Sequence, residues 1–322
     1  MFIINHRKVL LTIAGFIMAG SVLLIASLGL NLGIDFTGGS LTEVSYGVSP
    51  EKSELETAVE SVGLNDYLVR SSVNEEGKSA FMISTIDLNE EMRISLETAV
   101  TSLGEEASVD RFTSIGPVIG QELKDKAFWA IIGVVSIIIL YVAFAFAGIG
   151  VPVSSWVYGF ITIFVLVHDV LVPSALMSLL GHFAGVEVDV LFVMALLAVL
   201  GYSVNDTIVV FDRVRENLIK NRTEHKTKRE EAGIVKEEVT YTLTKPYEEI
   251  VGEAVSETLA RSINTSVTTF VALVALYFLG GSVTQTFALV LMAGVLAGTY
   301  SSICIASPLI VSYAEWKAKK DS

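Results

Sequence analysis

Six stretches of this chain, residues 9–30, 127–147, 153–180, 190–211, 258–279 and 283–313, are long and apolar enough to cross about 30 Å of hydrocarbon. No backbone N–H or C=O can stay unpaired there, and a run of this length meets that condition as an α-helix. The chain therefore reads as a six-helix membrane protein with the lipid bilayer as its solvent. Its composition agrees: 52% of residues are hydrophobic and the mean hydropathy is +0.61, outside the range of soluble domains. The last stretch is long enough to tilt or to project beyond the bilayer, and Pro308 is placed to kink it. The first follows the basic start "NHRK". Its apolar run exceeds that of a cleaved signal peptide, so it reads as a retained helix that doubles as an export signal.

Sidedness follows from the basic residues near helix ends. Arg7 and Lys8 precede the first helix; Arg213, Arg215, Lys220 and Arg222 follow the fourth; Lys317, Lys319 and Lys320 follow the sixth. Six crossings put all three groups on one side, which the positive-inside rule makes the cytoplasm, with both termini there. The turn "AFAGIGVPVSS" has no basic residue and carries no information. This divides the chain into a first transmembrane helix (1–30), an extracytoplasmic domain (31–126), helices two to four (127–211), a charged cytoplasmic loop (212–257), helices five and six (258–313) and a cytoplasmic tail (314–322). The net charge of −13 argues against nucleic acid as a partner, since that needs a basic face. The acidity is concentrated outside, where residues 35–126 hold 18 acidic and 7 basic residues, while residues 213–245 hold nine basic ones.

The outer piece reads as a folded α+β domain. "SLTEVSYG" alternates as a strand, with Leu41, Glu43 and Ser45 opposite Thr42, Val44 and Tyr46. "SPEKSELETAVESVG" opens on a Ser-Pro helix start, closes on Gly63 and places Leu55, Val59 and Val62 on one face. The strand-like runs "YLVRSSV" and "SAFMISTI" flank a turn at "NEEGK". A second amphipathic helix over 89–103 and a last strand, "ASVDRFTSI", complete the order βαββαβ, a ferredoxin-like sandwich. It contains no His, no Cys and no catalytic-looking acid pair. In the cytoplasmic loop, "TEHKTKREEAGIVKEEV" has the mixed charge of a solvated helix or hairpin, with His225 on its surface. The single Cys304 rules out a disulfide framework and reads as a small buried hydrophobe. The buried acids and histidines lack metal-ligand spacing, and "FTGGS" opens a strand and not a helix, so neither a metal, ATP nor any other cofactor is expected.

The chemistry lies in the apolar runs. Asn205 and Asp206 interrupt the fourth helix, and a carboxylate at a helix centre costs about 2.5–3.5 kcal/mol to insert. Asp206 lies about six residues, roughly 9 Å, from the cytoplasmic end. The fifth helix returns from that side with Arg261 at similar depth, so the two can meet if the helices adjoin. Arg261, Asn264, Thr265 and Thr268 form one polar stripe at helical spacing; Tyr202, Ser203 and Asp206 share a face of the fourth helix. Two such stripes facing each other can hold water and pass protons. The competing readings are an Arg261 that snorkels to the headgroups and hydroxyls that only glue helices together. A carboxylate balanced between burial, which favours the acid, and a nearby cation, which favours the anion, can load and release a proton. His168 and Asp169 form a second polar island in the third helix. Asp169 is expected to face the interior, whereas His168 is either a relay member or a hydrogen-bonded core residue. His182 and Asp189 fall in the short outer loop and read as interfacial. Gly294 and Gly298 have the small-xxx-small spacing of close helix packing.

The runs "GIDFTGGS" after the first helix, "IGPVIGQELKDKA" entering the second, "HDV" in the third, "SVNDTIVVFDRVREN" ending the fourth and "RSINTSVTT" opening the fifth together resemble the SecF branch of the SecD/SecF protein-export family, relatives of the resistance-nodulation-division transporters. The resemblance covers essentially the whole chain, although the stretch after "DRVREN" is longer than the family's linker. It implies a SecD-like sister subunit, a SecY channel complex and a translocating unfolded protein as partners, and a proton or sodium gradient as the energy source. It also implies that the fourth-helix acid and fifth-helix arginine, here Asp206 and Arg261, belong to an ion pathway, which Asn205, Asp169, Asn264 and Thr265 would complete. Asp35, Gly38 and Gly39 of "DFTGG", with Gly116 and Pro117 of "IGPV", are its structural motif. Family transport domains have twelve helices, so this chain supplies half. The working expectation is that protonation of Asp206 weakens a pair with Arg261 and moves the outer domain through the first helix and "IGPVIGQEL". The alternatives are another ion-driven exporter of the superfamily, for lipid or small molecules, and an intramembrane aspartyl protease using Asp169 and Asp206. The exporter would need a larger, more apolar outer domain. The protease would need Gly-x-Gly-Asp where this chain has "GYSVND". No enzyme activity is expected.

Overall fold

The computed structural model describes residues 2–74, 78–146, 152–231 and 234–321. In chain order the elements are α1 (Phe2–Asn5), α2 (Arg7–Leu28), α3 (Ile34–Thr37), β1 (Gly39–Ser45), α4 (Lys52–Ser61), β2 (Tyr67–Val73), β3 (Ser79–Thr85), α5 (Glu90–Thr101), β4 (Ser108–Ile115), α6 (Pro117–Ala145), α7 (Ser155–Ala184), α8 (Val190–Lys220), β5 (Arg222–Glu231), β6 (Ile234–Leu243), α9 (Tyr247–Leu279), α10 (Ser282–Ser301), a π-helical turn (Ser302–Ala306) and α11 (Ser307–Asp321). Six helices have the length and apolarity to span a membrane: α2, α6, α7, α8, α9 and the continuous rod from α10 through α11. Part of the turn at "NEEGK", residues 75–77, and part of "AFAGIGVPVSS", residues 147–151, lie outside the described residues.

The α+β domain sits between α2 and α6 as expected. Its sheet has the order β2-β3-β1-β4, and every neighbouring pair is antiparallel. That is the ferredoxin-like arrangement, in which β3 inserts between β1 and β2. One sheet face and the inner sides of α4 and α5 bury Val44, Tyr46, Leu55, Val59, Phe81, Ile83, Leu96 and Val100, and the Tyr46 hydroxyl donates to the Val100 carbonyl at 2.9 Å. α4 begins one residue past the Ser-Pro pair, with a capping box between Glu51 and Glu54; Asn89 caps α5 by accepting from the Met92 amide at 2.9 Å.

The other sheet face meets the bundle. The Val188 amide donates to the Asn31 carbonyl and the Gly33 amide to the Val188 carbonyl, around a parallel Leu32–Val188 bridge, and the Asn31 side-chain amide donates to the Gly181 carbonyl at 2.8 Å. From this strap the "DFTGG" turn rises between α8 and α6. Asp35 accepts from the Val190 amide at 2.9 Å, next to Asp189, which caps α8 through Phe192. Two carboxylates thus serve the positive end of α8. Gly39 has φ +128°, and a Cβ there would stand 2.3 Å from the Thr85 carbonyl. Gly38 has φ +75°, with Pro117 at 2.8 Å from its hypothetical Cβ, and Gly120 abuts Gly38 in turn. The two sequence motifs are therefore halves of one close contact that joins the domain to α6.

A cleft of about 230 Å³ remains beside this joint, lined by Asp35, Arg70, Met82, Arg111, Glu187 and Asp189 among others. Ser84 of β3 donates to Glu187 at 2.9 Å, tying the sheet to the α7–α8 loop.

At the opposite end, Phe146 stacks on Tyr158 with centroids 5.5 Å apart, and Phe211 packs edge-on against Tyr158 at 5.1 Å. Arg7 bonds Glu315 there and lies 3.7 Å from Glu248, so the starts of α2 and α9 and the end of α11 share this end. The charged region 212–257 is a mixture of forms. α8 continues to Lys220, β5 and β6 form a two-stranded hairpin, and α9 has begun by Tyr247. Arg213 bridges Glu216 and Glu257, both at 2.5 Å, which fastens the end of α8 to α9.

Pro308 does not break the last helix. It cannot donate to the residue-304 carbonyl, and the π turn immediately before it absorbs the misfit. Upstream, α10 lies tight on α8. A Cβ on Gly294 would come within 2.1 Å of a Val199 methyl, and one on Gly298 within 3.1 Å of Ser203 Cβ. Gly294→Ala is therefore expected to destabilise the bundle by roughly 1–3 kcal/mol, read as a fall in Tm of the detergent-solubilised chain. Gly133→Ala, with nothing within 4 Å, should leave Tm nearly unchanged.

Burial raises the Glu187 carboxyl above its ordinary value, opposed by Ser84 and Arg70. A group so raised takes up a proton on docking. The docked domain is then favoured below the ordinary glutamate pKa, and this contribution is lost as pH climbs through the raised value. Glu187→Gln should flatten that dependence, measured by energy transfer between dyes on the α+β domain and the bundle between about pH 4 and 7.

Candidate functional site

Asp206 is buried in α8 where α9 and the π turn cross it. Ser262 of α9 donates to its Oδ1 at 2.6 Å, and Ser302, the first residue of the π turn, donates to its Oδ2. One turn earlier on α8, Ser203 donates to Asp169 Oδ2, which also accepts from Ser301 at 2.8 Å. Asp169 Oδ1 pairs with His168 Nδ1 at 2.8 Å. Both members of the α7 pair are almost fully buried, and His168 Nε2 has no hydrogen-bond partner among the described residues. Pro173 lies four residues beyond Asp169 in α7 and cannot donate to the Asp169 carbonyl, so the helix is irregular at the acid.

A third polar node adjoins these two. Tyr202 and Thr299 both donate to Ser266, at 3.0 and 2.5 Å, and Ser266 donates to the Ser262 carbonyl at 2.8 Å. The site is thus built of hydroxyls around two carboxylates, with no lysine or arginine touching either among the described residues. A hydroxyl both donates and accepts, so the same side chains can serve a carboxylate and a carboxylic acid; a guanidinium can only donate. No group of three His, Cys, Asp or Glu able to hold a metal occurs among the described residues.

The placement of the predicted residues is mixed. Asp169 faces the interior. Arg261 lies at the depth of Asp206, since its neighbour Ser262 bonds that acid, but it faces away. Arg261, Asn264, Thr265 and Thr268 are exposed on this chain, and no ion pair joins Arg261 to Asp206 among the described residues. The expected pair is corrected to Asp206 with Ser262 and Ser302. Successive helical residues point about 100° apart, and the buried stripe of α9 is Thr258, Ser262 and Ser266, one position from the polar stripe chosen from sequence. Their spacing of four and small size were the available signal. The Thr265 and Thr268 hydroxyls turn back on their own helix, bonding the carbonyls of Arg261 and Asn264. Asn205 is exposed beside Met194, Ala198 and Gly201 on the outer face of α8. Asp35, Gly38, Gly39 and Pro117 converge at the domain joint, whereas Gly116 has open space around it. The Ser301–Ser302 pair was not found from sequence, because two serines in an apolar run ordinarily only pack.

This arrangement separates two acids that look alike in sequence from the cation beside them. Arg261→Gln should leave the stability of the isolated chain within about 0.5 kcal/mol. Asp169→Ala, which strands three donors, should cost about 1–3 kcal/mol. Thermal unfolding of the solubilised variants checks both.

The family described as "Protein export membrane protein SecD/SecF, C-terminal" matches residues 95–234 and 232–316, and the "SecD/SecF GG Motif" matches residues 23–48. The two longer matches meet in the β5–β6 region. The protein translocase subunit SecF of Thermobaculum terrenum is 35% identical over 305 residues, covering 92% of this chain and 88% of that protein. The SecF of Sebaldella termitidis is 32% identical, over 98% and 92% of the two chains. The crystal structure of SecDF from Thermus thermophilus, described as a translocon-associated membrane protein, superposes with a TM-score of 0.80 at 31% identity over 97% of this chain and 38% of its own. The bundle with its inserted α+β domain, the paired glycine motif and these near full-length matches agree: the chain belongs to the SecD/SecF family of protein-export membrane proteins, non-enzymatic transport proteins, as a SecF-type subunit of the protein translocase.

Proposed function

We propose that this subunit pairs with a SecD-type protein and uses a proton gradient to assist the movement of unfolded protein through the SecY channel of the cell membrane. The observation that carries the reading is Asp206, buried at membrane depth and held, among the described residues, by hydroxyls alone. Each of its oxygens already accepts an O–H, an arrangement suited to a proton and poorly suited to sodium, which needs oxygens turned towards it.

The exposed face of α8 and α9 supports the need for a partner. Asn205, Arg261, Asn264, Thr265 and Thr268 lie uncovered at the depth of Asp206, and a guanidinium and amides do not face hydrocarbon there. A second bundle related to this one by a pseudo-twofold axis covers them, and an acid on it gives Arg261 its counter-ion. The site then sits one helix thickness from the interface. The basic residues at the hairpin end of the bundle put that end and both termini in the cytoplasm, with the α+β domain outside.

Magnitudes are compatible. One charge crossing 100 mV releases about 2.3 kcal/mol, comparable with the roughly 1.5–3 kcal/mol of a hydrogen bond to a charged group. A single proton can therefore reset one serine–carboxylate contact, and the Gly38–Pro117 contact and the Asp35 cap on α8 lead from the helices to the outer domain. The cleft under that domain is small and lined by charged side chains, which disfavours a lipid exporter. The test is export into membrane vesicles lacking this subunit, restored with wild type or Asp206→Asn. The variant should lose the gradient-dependent stimulation, falling to the level seen without a gradient, and keep the gradient-independent part. Full gradient-dependent stimulation by Asp206→Asn would overturn the reading.

A further inference from the structure

Ser301 and Ser302 are consecutive residues at the junction of α10 and the π turn, yet each bonds a different buried carboxylate. Ser301 donates to Asp169 at 2.8 Å, and Ser302 donates to Asp206. Each hydroxyl also has a second acceptor 3.1 Å away, the carbonyl three residues earlier: Gly298 for Ser301 and Thr299 for Ser302. A hydroxyl carries one proton, so each serine chooses between a side-chain acid and its own helix.

Protonation of Asp206 changes that choice. The carboxylate accepts one O–H on each oxygen. Once a proton from the aqueous phase occupies Oδ2, that oxygen becomes a donor, and the Ser302 hydroxyl facing it must turn. The Thr299 carbonyl is in reach to receive it. Ser262 has no second acceptor within hydrogen-bond distance among the described residues; its hydroxyl serves Asp206. The responsive contact is therefore the one on the π turn. π turns are single-turn insertions in α-helices, found often at functional positions, and here the turn, continuous with α10 and α11, is packed against α2, α7 and α8 together. A change at Ser302 is a change one peptide from Ser301, and so at the Asp169–His168 pair.

We propose that Ser301 and Ser302 are positioning residues that couple Asp169 and Asp206 into one proton-binding unit, with the π turn as the element that carries the charge state of one acid to the other. Uptake of a proton by Asp206 turns Ser302 to the Thr299 carbonyl, shifts the turn and loosens the Ser301 contact on Asp169. Asp169 then leans on its remaining partner, His168, whose Nδ1 lies 2.8 Å from Oδ1. The other titratable groups facing the unit are Tyr300, its ring 5.9 Å from His168, Tyr202 through Ser266, and Cys304 within the turn.

This inference rests on the proton-coupling reading above, but its test does not use export, so the two can fail separately. The full chain, reconstituted in lipid bilayers, is titrated while the carboxylic-acid C=O bands are followed by infrared difference spectroscopy, with Asp169→Asn and Asp206→Asn assigning the bands. In the wild-type background, Asp206→Asn should move the midpoint of the Asp169 band by about one pH unit. In Ser302→Ala or Ser301→Ala that shift should vanish, and Ser302→Thr, which keeps the hydroxyl, should restore it. Coulombic coupling through space would survive both alanine variants. A shift that persists in them, or its absence from the wild type, overturns the proposal.

Discussion

Two carboxylates lie inside this bundle with hydroxyls as their main company, and much of the surrounding architecture serves to make that tolerable. An uncompensated charge in a low-dielectric interior is expensive, and hydrogen bonds from fixed donors are what is left to offset it when no lysine or arginine is in reach. Ser203, Ser262, Ser301 and Ser302 come from three different segments, and they reach their acids because α7, α8, α9 and α10 pack closely. The glycines of α10 supply that closeness. Gly294 sits against Val199 and Gly298 against Ser203, so the residues that bring the backbones together lie about two turns and one turn before the serines that bond the acids.

The two irregularities of the bundle fall at the same place. Pro173 leaves the carbonyl of Asp169 without its usual helical donor, and the π turn before Pro308 carries the hydroxyl that meets Asp206. In a membrane such defects are accepted only where protein covers them. Here they sit among buried polar side chains, at the two carboxylates. Rigid contact is concentrated elsewhere. The positive-φ glycine turn and the Pro117 start of α6 join the α+β domain to the bundle by backbone contacts too tight for a Cβ at Gly38, and the two acids that cap α8 add to the joint.

The exposed polar face of α8 and α9 has a different character. Among the described residues no ion pair reaches its arginine, and lipid offers the arginine and amides no partner either. The inner acids, by contrast, have their partners within the chain. The separation keeps the two buried acids inside the bundle and the uncovered cation and amides on its exposed face.

Much of this could be read from residues alone. Apolar run length gave six helices, because hydrocarbon admits no unpaired backbone of that length. Period-two and helical patterning gave the βαββαβ order, because a sheet face and a helix stripe must each find a core. The cost of a buried carboxylate marked Asp206 and Asp169. Which side chain meets each acid was decided by packing. One residue of rotation on α9 exchanges Arg261 for Ser262, and hydrophobic patterning cannot resolve that step when both stripes of the helix are polar. The same limit hid Ser301 and Ser302, whose reach depends on a π turn set by Pro308 and by the approach of four helices. It also hid the meeting of the two glycine motifs, about 80 residues apart in the chain, since only the folded topology brings Gly38 to Pro117.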